Sequence, residues 1–538
     1  MRHTGVCLLA PFLLFCSSLM AAQVAVTTYQ YDNNRSGTNT SETTLTPSNV
    51  NVSQFGRLAV FSVQGYVYAQ PLYVPNVTIG RTSHNVLFVA TEHDQLYAFD
   101  VNTGQQLWHS NFLFGSEPLL VVSTVSSTDV NCTDLVPEIG ITGTPVIDTT
   151  TNTMYVMVET KEYDPQTRIT NFYHRLHALD ITTGGDKVAP HTVIAVARGT
   201  GTGSIGGTVS FNPLLANQRA GLLLADGQVF VSWSSHCDLG AYHGWLMSFN
   251  ERTLAASGVF IDTPNGYEGG FWAGGSGPAA DANGSIYAAT GNGDFSANSG
   301  GIDYGDSVLR LNWSSSGISV SDYFTPWDQQ TLDENDTDVA SGGVVLLPYQ
   351  PGAPYPHLLL QVGKEGTIDL IDRDNMGHWH YGNDDQIVQT LPFIIGGVWG
   401  GPAFWNNNAY FGGQYDYLKA FAFNPQTQLL STSPTSQSPE QFNFPGPTPA
   451  VSSNGASNGV LWIIETDTYS SGGNAVLRAY LASNLGTELY NSGQNPGRDQ
   501  AGLAVKFTVP TVADGHVFVG GQNQVAMYGL LNGDGVRH

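Results

Sequence analysis

The chain has 538 residues, and its 44 Asp and Glu against 19 Lys and Arg give a formal net charge of −25. No basic patch outweighs such a field, so nucleic acid is excluded as a partner. Only 12% of residues are charged, while glycine (62) and aromatics (11%) are abundant, a mixture suited to a β-rich, turn-rich extracytoplasmic protein.

Arg2 and His3 precede an apolar stretch, Val6 to Met20, that is too short to span a bilayer. Small residues Ala21 and Ala22 follow, so residues 1–22 read as a secretory signal peptide. Phe15 before Cys16 is too large for the usual lipoprotein cleavage pattern. The expectation is a secreted or periplasmic protein with no membrane span. Cys7 and Cys16 leave with the signal. Cys132 and Cys237 remain as an even pair in an oxidising compartment and are expected to form a disulfide, two separate buried thiols being the alternative.

Residues 23–54, polar and rich in Thr, Ser and Asn, read as an extended arm lying on the body and not as a core element. Arg57 to Val63 is a lone strand. The stretch Leu87 to Trp108 (LFVATEHDQLYAFDVNTGQQLW) then shows two apolar strands, a turn at Asp100 to Gly104, and a closing aromatic. The chain repeats this unit. The second strands are LFVAT, MYVMV, VFVSW, IYAAT, LLLQV, AYFGG, LWIIE and VFVGG. The opening strands and the returning strands give the same tally of eight.

Short antiparallel strands repeated eight times predict an all-β, eight-bladed β-propeller over residues 55–531, with a tail at 532–538. An open ring would expose two sheet edges. The last unit stops after its third strand near Leu531, so Arg57–Val63 is expected to supply the fourth. The links at about 110–141, 189–217, 262–275, 322–341 and 386–399 are long, whereas Asp226-Gly227 and Asn283-Gly284 on the other face are tight turns. Long loops on one face of a rigid ring place a site there.

Ala98-x-Asp100-x-x-x-Gly104-Gln105-x-x-Trp108 resembles the tryptophan-docking repeat of quinoprotein alcohol dehydrogenases and their relatives, with Gln105 where a lysine is common. Ala178-x-Asp180-x-x-x-Gly184 repeats its first part without the tryptophan. The chain as a whole resembles exported bacterial PQQ-repeat propellers. That resemblance implies a pyrroloquinoline quinone (PQQ) on the axis, stacked on a tryptophan beside a Ca²⁺, with an aspartate as base. In many such proteins a disulfide between adjacent cysteines covers the ring. This sequence has no adjacent cysteine pair and no C-x-x-C-H motif, so no haem is expected.

Candidate catalytic residues are Asp294 or Asp338 as base, with Lys364 or Arg219 at a quinone or sugar oxygen. A salt-bridged turn, with Glu365 as partner, is the plainer role for Lys364. Trp272 and Trp399, each flanked by glycines before an inner strand, could floor a flat ligand or pack between blades. Glu92, Asp94, Asn292 and Asp294 sit at equivalent turns where hard oxygens could hold Ca²⁺ or cap backbone amides. The acidic run Asp333 to Asp338 reads as a solvated loop. His236-Cys237-Asp238, with His243 and Trp245, reads as a disulfide-anchored loop, with metal or proton handling as the alternative.

The functional expectation is a monomeric propeller that binds a small molecule, glycan or exported protein at the loop-bearing mouth. A PQQ- and Ca²⁺-dependent alcohol or sugar dehydrogenase and a non-catalytic envelope scaffold are the alternatives.

Overall fold

Strands packed on both faces carry continuous apolar runs, and the first blade shows this directly. Its strands are Leu72–Ile79, Thr82–Thr91, Gln95–Asp100 and Gln106–Asn111, and the third is buried along its whole length. The computed structural model describes residues 23–114 and 120–531; the expected signal peptide (1–22) and tail (532–538) lie outside the described residues. It is an eight-bladed, all-β propeller of mostly four-stranded antiparallel blades. Blades two to seven are built on the second strands Thr153–Asp164, Gln228–Ser235, Ile286–Ala289, Leu358–Val362, Asn408–Gly412 and Ser457–Glu465. Among the described residues, no helix is long and apolar enough to cross a membrane.

The core is a circle of apolar clusters between neighbouring blades. Tyr155, Met157, Trp233 and Trp245 join the second and third, and Leu360, Phe404, Phe411 and Phe421 join the fifth and sixth. Aromatic side chains pin three of the blades to the next. Trp108 donates its indole N–H to the Ile181 carbonyl at 2.8 Å and lies flat on Gly184, where a Cβ would meet the ring at 2.6 Å. Tyr155 reaches Glu251 O in the third blade, and Trp405 reaches Gly455 O in the seventh. The strict sequence motif is therefore one instance of a wider device.

Closure follows the expected route. Phe55–Tyr66 pairs antiparallel with the far half of the final element, from Phe55↔Leu530 to Tyr66↔Gln522. That element, His516–Leu530, doubles back near Asn523 (φ 58°), which brings Gly529 against Gly515.

The arm departs from expectation. Val26, Leu45, Val50 and the charged Arg35 are all fully buried. The arm circles inside the ring and presents carbonyls to the innermost strands in turn: Val26 to Tyr73, Thr27 to Ile147, Asn33 to Ala280, Asn34 to Leu346, Ser36 to Phe404 and Gly37 to Val451. Glu42 completes the circuit on Gly515 N–H of the eighth blade. Arg35 donates to Pro278 O (2.9 Å), Leu222 O, Tyr29 O and Thr28 Oγ1, tying the arm to the third and fourth blades. Polar residues enter the core here because unpaired inner-strand groups need partners.

Arg35→Leu should destabilise the protein by about 3–5 kcal/mol, because four buried acceptors lose a charged donor. Urea unfolding measures this; a loss below about 1 kcal/mol would mean the arm is not integral.

Candidate functional site

The links and second-to-third-strand turns converge at one end of the ring around a cavity of about 140 Å³. That is room for roughly ten water molecules or one flat organic ligand. Its lining comes from nearly every interval of the chain, from Asp134 before the second blade to Lys506 and Phe507 before the eighth. It therefore sits on the axis. Tyr29 of the arm lies behind it, against Gly221 and Gly275, with its buried hydroxyl unpartnered.

Of the residues singled out from sequence, Arg219, Trp272, Asp338, Lys364 and Trp399 line this cavity together. Trp272 precedes a tight turn, Ala273–Gly275, in which Gly274 has φ 54°. A Cβ on Gly274 would stand 1.7 Å from Trp399 O, so only glycine lets the third-to-fourth link touch the fifth-to-sixth. The Trp272 indole N–H is buried without a partner. Trp399 meets Phe444 edge-on at 5.2 Å, and Phe444 meets Phe507 at 5.9 Å, forming an aromatic wall.

Charge is arranged around that wall. Asp338 is buried; its Oδ1 accepts from Asn292 N–H at 2.9 Å and its Oδ2 pairs with Lys364 Nζ at 2.6 Å. Burial opposes the charge on Lys364, but Asp338 and Asp336 outweigh it and hold the ammonium well above the ordinary lysine range. Glu365, the expected partner of Lys364, bonds Thr367 instead. Arg219 lies 3.6 Å over the Phe507 ring with Nε unpartnered, and burial lowers its pKa. Lys506 sits 5.1 Å from the same ring; burial brings its pKa down to about 8, against the pull of Asp134. Among the described residues, neither Arg219 nor Lys506 forms an ion pair with a carboxylate.

Glu92, Asp94, Asn292 and Asp294 do not line the cavity. Asn292 stands just behind it: it bonds Asp338 and Asp336, and its buried Oδ1 is free. Asp294 packs against Gly266 in the fourth blade, away from Glu92 and Asp94 in the first. The expected Ca²⁺ set of Glu92, Asp94 and Asp294 does not assemble, because equivalent turns in different blades are held apart by the ring. Among the described residues, one group of three potential ligands, Cys132, Asp134 and Cys237, has donor atoms within 4.8 Å of one another, and its cysteines are disulfide-bonded.

That disulfide is as expected, and it anchors Asp134 and Asp238 at the cavity mouth. His243 bonds Thr202 O and Thr263, in keeping with a loop role, whereas both nitrogens of buried His236 are unpartnered. The acidic run Asp333 to Asp338 starts on the last two residues of the short helix Gln329–Glu334; it is not wholly a solvated loop, since its last residue, Asp338, is buried in the site. Asn217, Phe444, Lys506 and Phe507 also line the cavity, and no motif marks them in the sequence. A lysine just before an inner strand, in the position that Trp272 and Trp399 hold, was the available signal.

No protein-family model and no curated protein matches this sequence. Solved structures do match its fold. A quinohemoprotein alcohol dehydrogenase from Comamonas testosteroni has a TM-score of 0.61 at 14% identity, covering 96% of this chain and 82% of that one. The quinohemoprotein alcohol dehydrogenase ADHIIG from Pseudomonas putida HK5 has a TM-score of 0.57 at 12% identity, covering 94% and 80%. BamB from Moraxella catarrhalis has a TM-score of 0.49 at 9% identity, covering 88% and 99%. The chain shares the propeller fold of the two alcohol dehydrogenases.

Behind the cavity, Glu92 is fully buried; Gly140 N–H and Thr142 Oγ1 both donate to its Oε2 while Oε1 has no partner. Burial raises its pKa to about 8. The folded state holds this proton more tightly than the unfolded state, so the stability it confers is present below about pH 4.5 and lost as pH rises through 8. Glu92→Gln should leave stability at pH 4.5 nearly unchanged and raise it at pH 8 by roughly 2–4 kcal/mol. Chemical denaturation at the two pH values reads this, and an equal effect at both would refute it.

Proposed function

We propose that this is an exported quinoprotein-like propeller whose axial cavity binds a flat, anionic quinone, with PQQ as the leading candidate. The carrying observation is the pair of cations without carboxylate partners, Arg219 and Lys506, set beside an aromatic wall. A buried cation with no carboxylate in contact is costly; Asp134 attracts both only at a distance, and an anionic ligand in contact would relieve the rest. The free Trp272 indole N–H and Asn217 Oδ1 add polar contacts for ring substituents.

A bound quinone supplies a two-electron oxidant. The residues of this chain would do the rest. Lys364, kept charged by Asp338 and Asp336, can polarise a quinone oxygen, and Asp338 can take the proton from a substrate hydroxyl. The buried Asn292 Oδ1 is a free oxygen beside them for a cation. An alcohol or sugar dehydrogenase is therefore the reaction class this site supports best.

PQQ added to the mature protein, with and without Ca²⁺, should quench tryptophan fluorescence and raise the melting temperature. Arg219→Gln and Lys506→Gln should each weaken binding about tenfold or more. Affinity should fall several-fold from pH 7 to pH 9 as Lys506 loses its proton, and that fall should vanish in Lys506→Arg, whose guanidinium stays charged. Failure of PQQ to quench or stabilise well above micromolar concentration would exclude the reading.

A further inference from the structure

A second and larger cavity, about 520 Å³, opens beside the fifth blade between the links at 326–339 and 382–393. Six carboxylate residues line it: Asp328, Asp338, Glu365, Asp369, Asp384 and Asp385. Its lining contains no Lys, Arg or His. Asp338 alone is neutralised, by Lys364, so that ion pair forms the partition from the axial cavity.

The decisive group is Asp369. It is 6% exposed, yet its carboxylate faces the cavity with one hydrogen bond, from Thr390 Oγ1 to Oδ1. Its Oδ2 has no partner among the described residues. At the mouth stand two exposed aromatics, Trp327 and Phe393, the latter held out by a left-handed backbone (φ 52°). An acidic floor beneath an aromatic rim is the chemistry that holds ammonium groups.

A single metal ion is poorly matched. The carboxylates are spread over the cavity, and no three of them bring ligand atoms within 4.8 Å of one another. We infer that this cavity is a binding site for a small linear organic polycation, a di- or polyamine, with one ammonium on Asp369 and another between Asp384 and the Trp327–Phe393 rim. The inference stands apart from quinone binding.

The electrostatics agree. Burial, and then Asp384, Glu365 and Asp328, raise Asp369 to about 7 against the Thr390 hydrogen bond. Burial, with Asp328 and Glu365, raises Asp384 to about 6 against the Trp327 N–H. A polycation replaces those protons, so binding strengthens as pH rises through this range. Adventitious binding to exposed carboxylates, already ionised at pH 5, lacks that rise.

The test is calorimetric titration of the full mature chain with spermidine and 1,5-diaminopentane. The expected result is one saturable site, at least tenfold tighter at pH 8 than at pH 5. Affinity should be lost in Asp369→Asn/Asp384→Asn and kept in the charge-matched control Asp164→Asn/Asp374→Asn. Should the first double variant misfold, Trp327→Phe, at an exposed position, should still weaken binding several-fold. Equal weakening in the control, a non-saturating isotherm, or Ca²⁺ binding this site more tightly than spermidine would overturn the inference.

Discussion

A ring of eight sheets encloses a hole, and the innermost strand of every sheet turns an unpaired hydrogen-bonding edge toward it. Unpaired edges are unstable inside a protein and dangerous outside one. The segment from Val26 to Glu42 resolves this by passing from blade to blade, so that strand N–H groups find arm carbonyls. Arg35 is the fixed point of that path, buried among carbonyls of the third and fourth blades. The remaining architecture depends on this inner lining. With the edges satisfied and Tyr29 set behind the axial cavity, the long links are left to shape its walls.

The site inherits its character from the lining. Links from successive blades meet closely enough that Gly274 touches the Trp399 carbonyl, and the cavity between them is lined by aromatic rings and charged side chains. In a chain with so few cations, three of them, Arg219, Lys364 and Lys506, gather there. One is held by carboxylates and two are not. That asymmetry, in a lining that also carries Asp134, Asp238 and Asp338, is what the proposed anionic ligand would exploit. The neighbouring cavity, sharing only Asp338, is lined by carboxylates with no cation among them.

Much of the fold was legible because propeller strands announce themselves by short apolar runs between Gly, Asn and Asp turns. The closure by the strand after Gln54 followed from counting strands in the last unit, and the disulfide from compartment and parity. The arm was misread because its polar composition, typical of a solvated segment, here serves carbonyl and amide partners inside the ring. Trp272, Trp399, Arg219, Lys364 and Asp338 were legible as unusual residues at link and turn positions. Their assembly was not, because the links vary in length and the sequence does not say which reach the axis. Glu92 and Asp294 show the converse: equivalence in the repeat does not bring two side chains together across a ring. Lys506 and Phe507, in a stretch that carries no motif, take on meaning only beside Arg219 and Phe444.

The central claim is that the axial cavity is built for a flat anion. A crystal structure of the mature protein grown with saturating PQQ tests it most directly. The account predicts quinone density in that cavity, with its ring against the Trp272 and Trp399 side and carboxylates on Arg219 and Lys506. An empty cavity under those conditions, or PQQ bound only elsewhere on the surface, would contradict it.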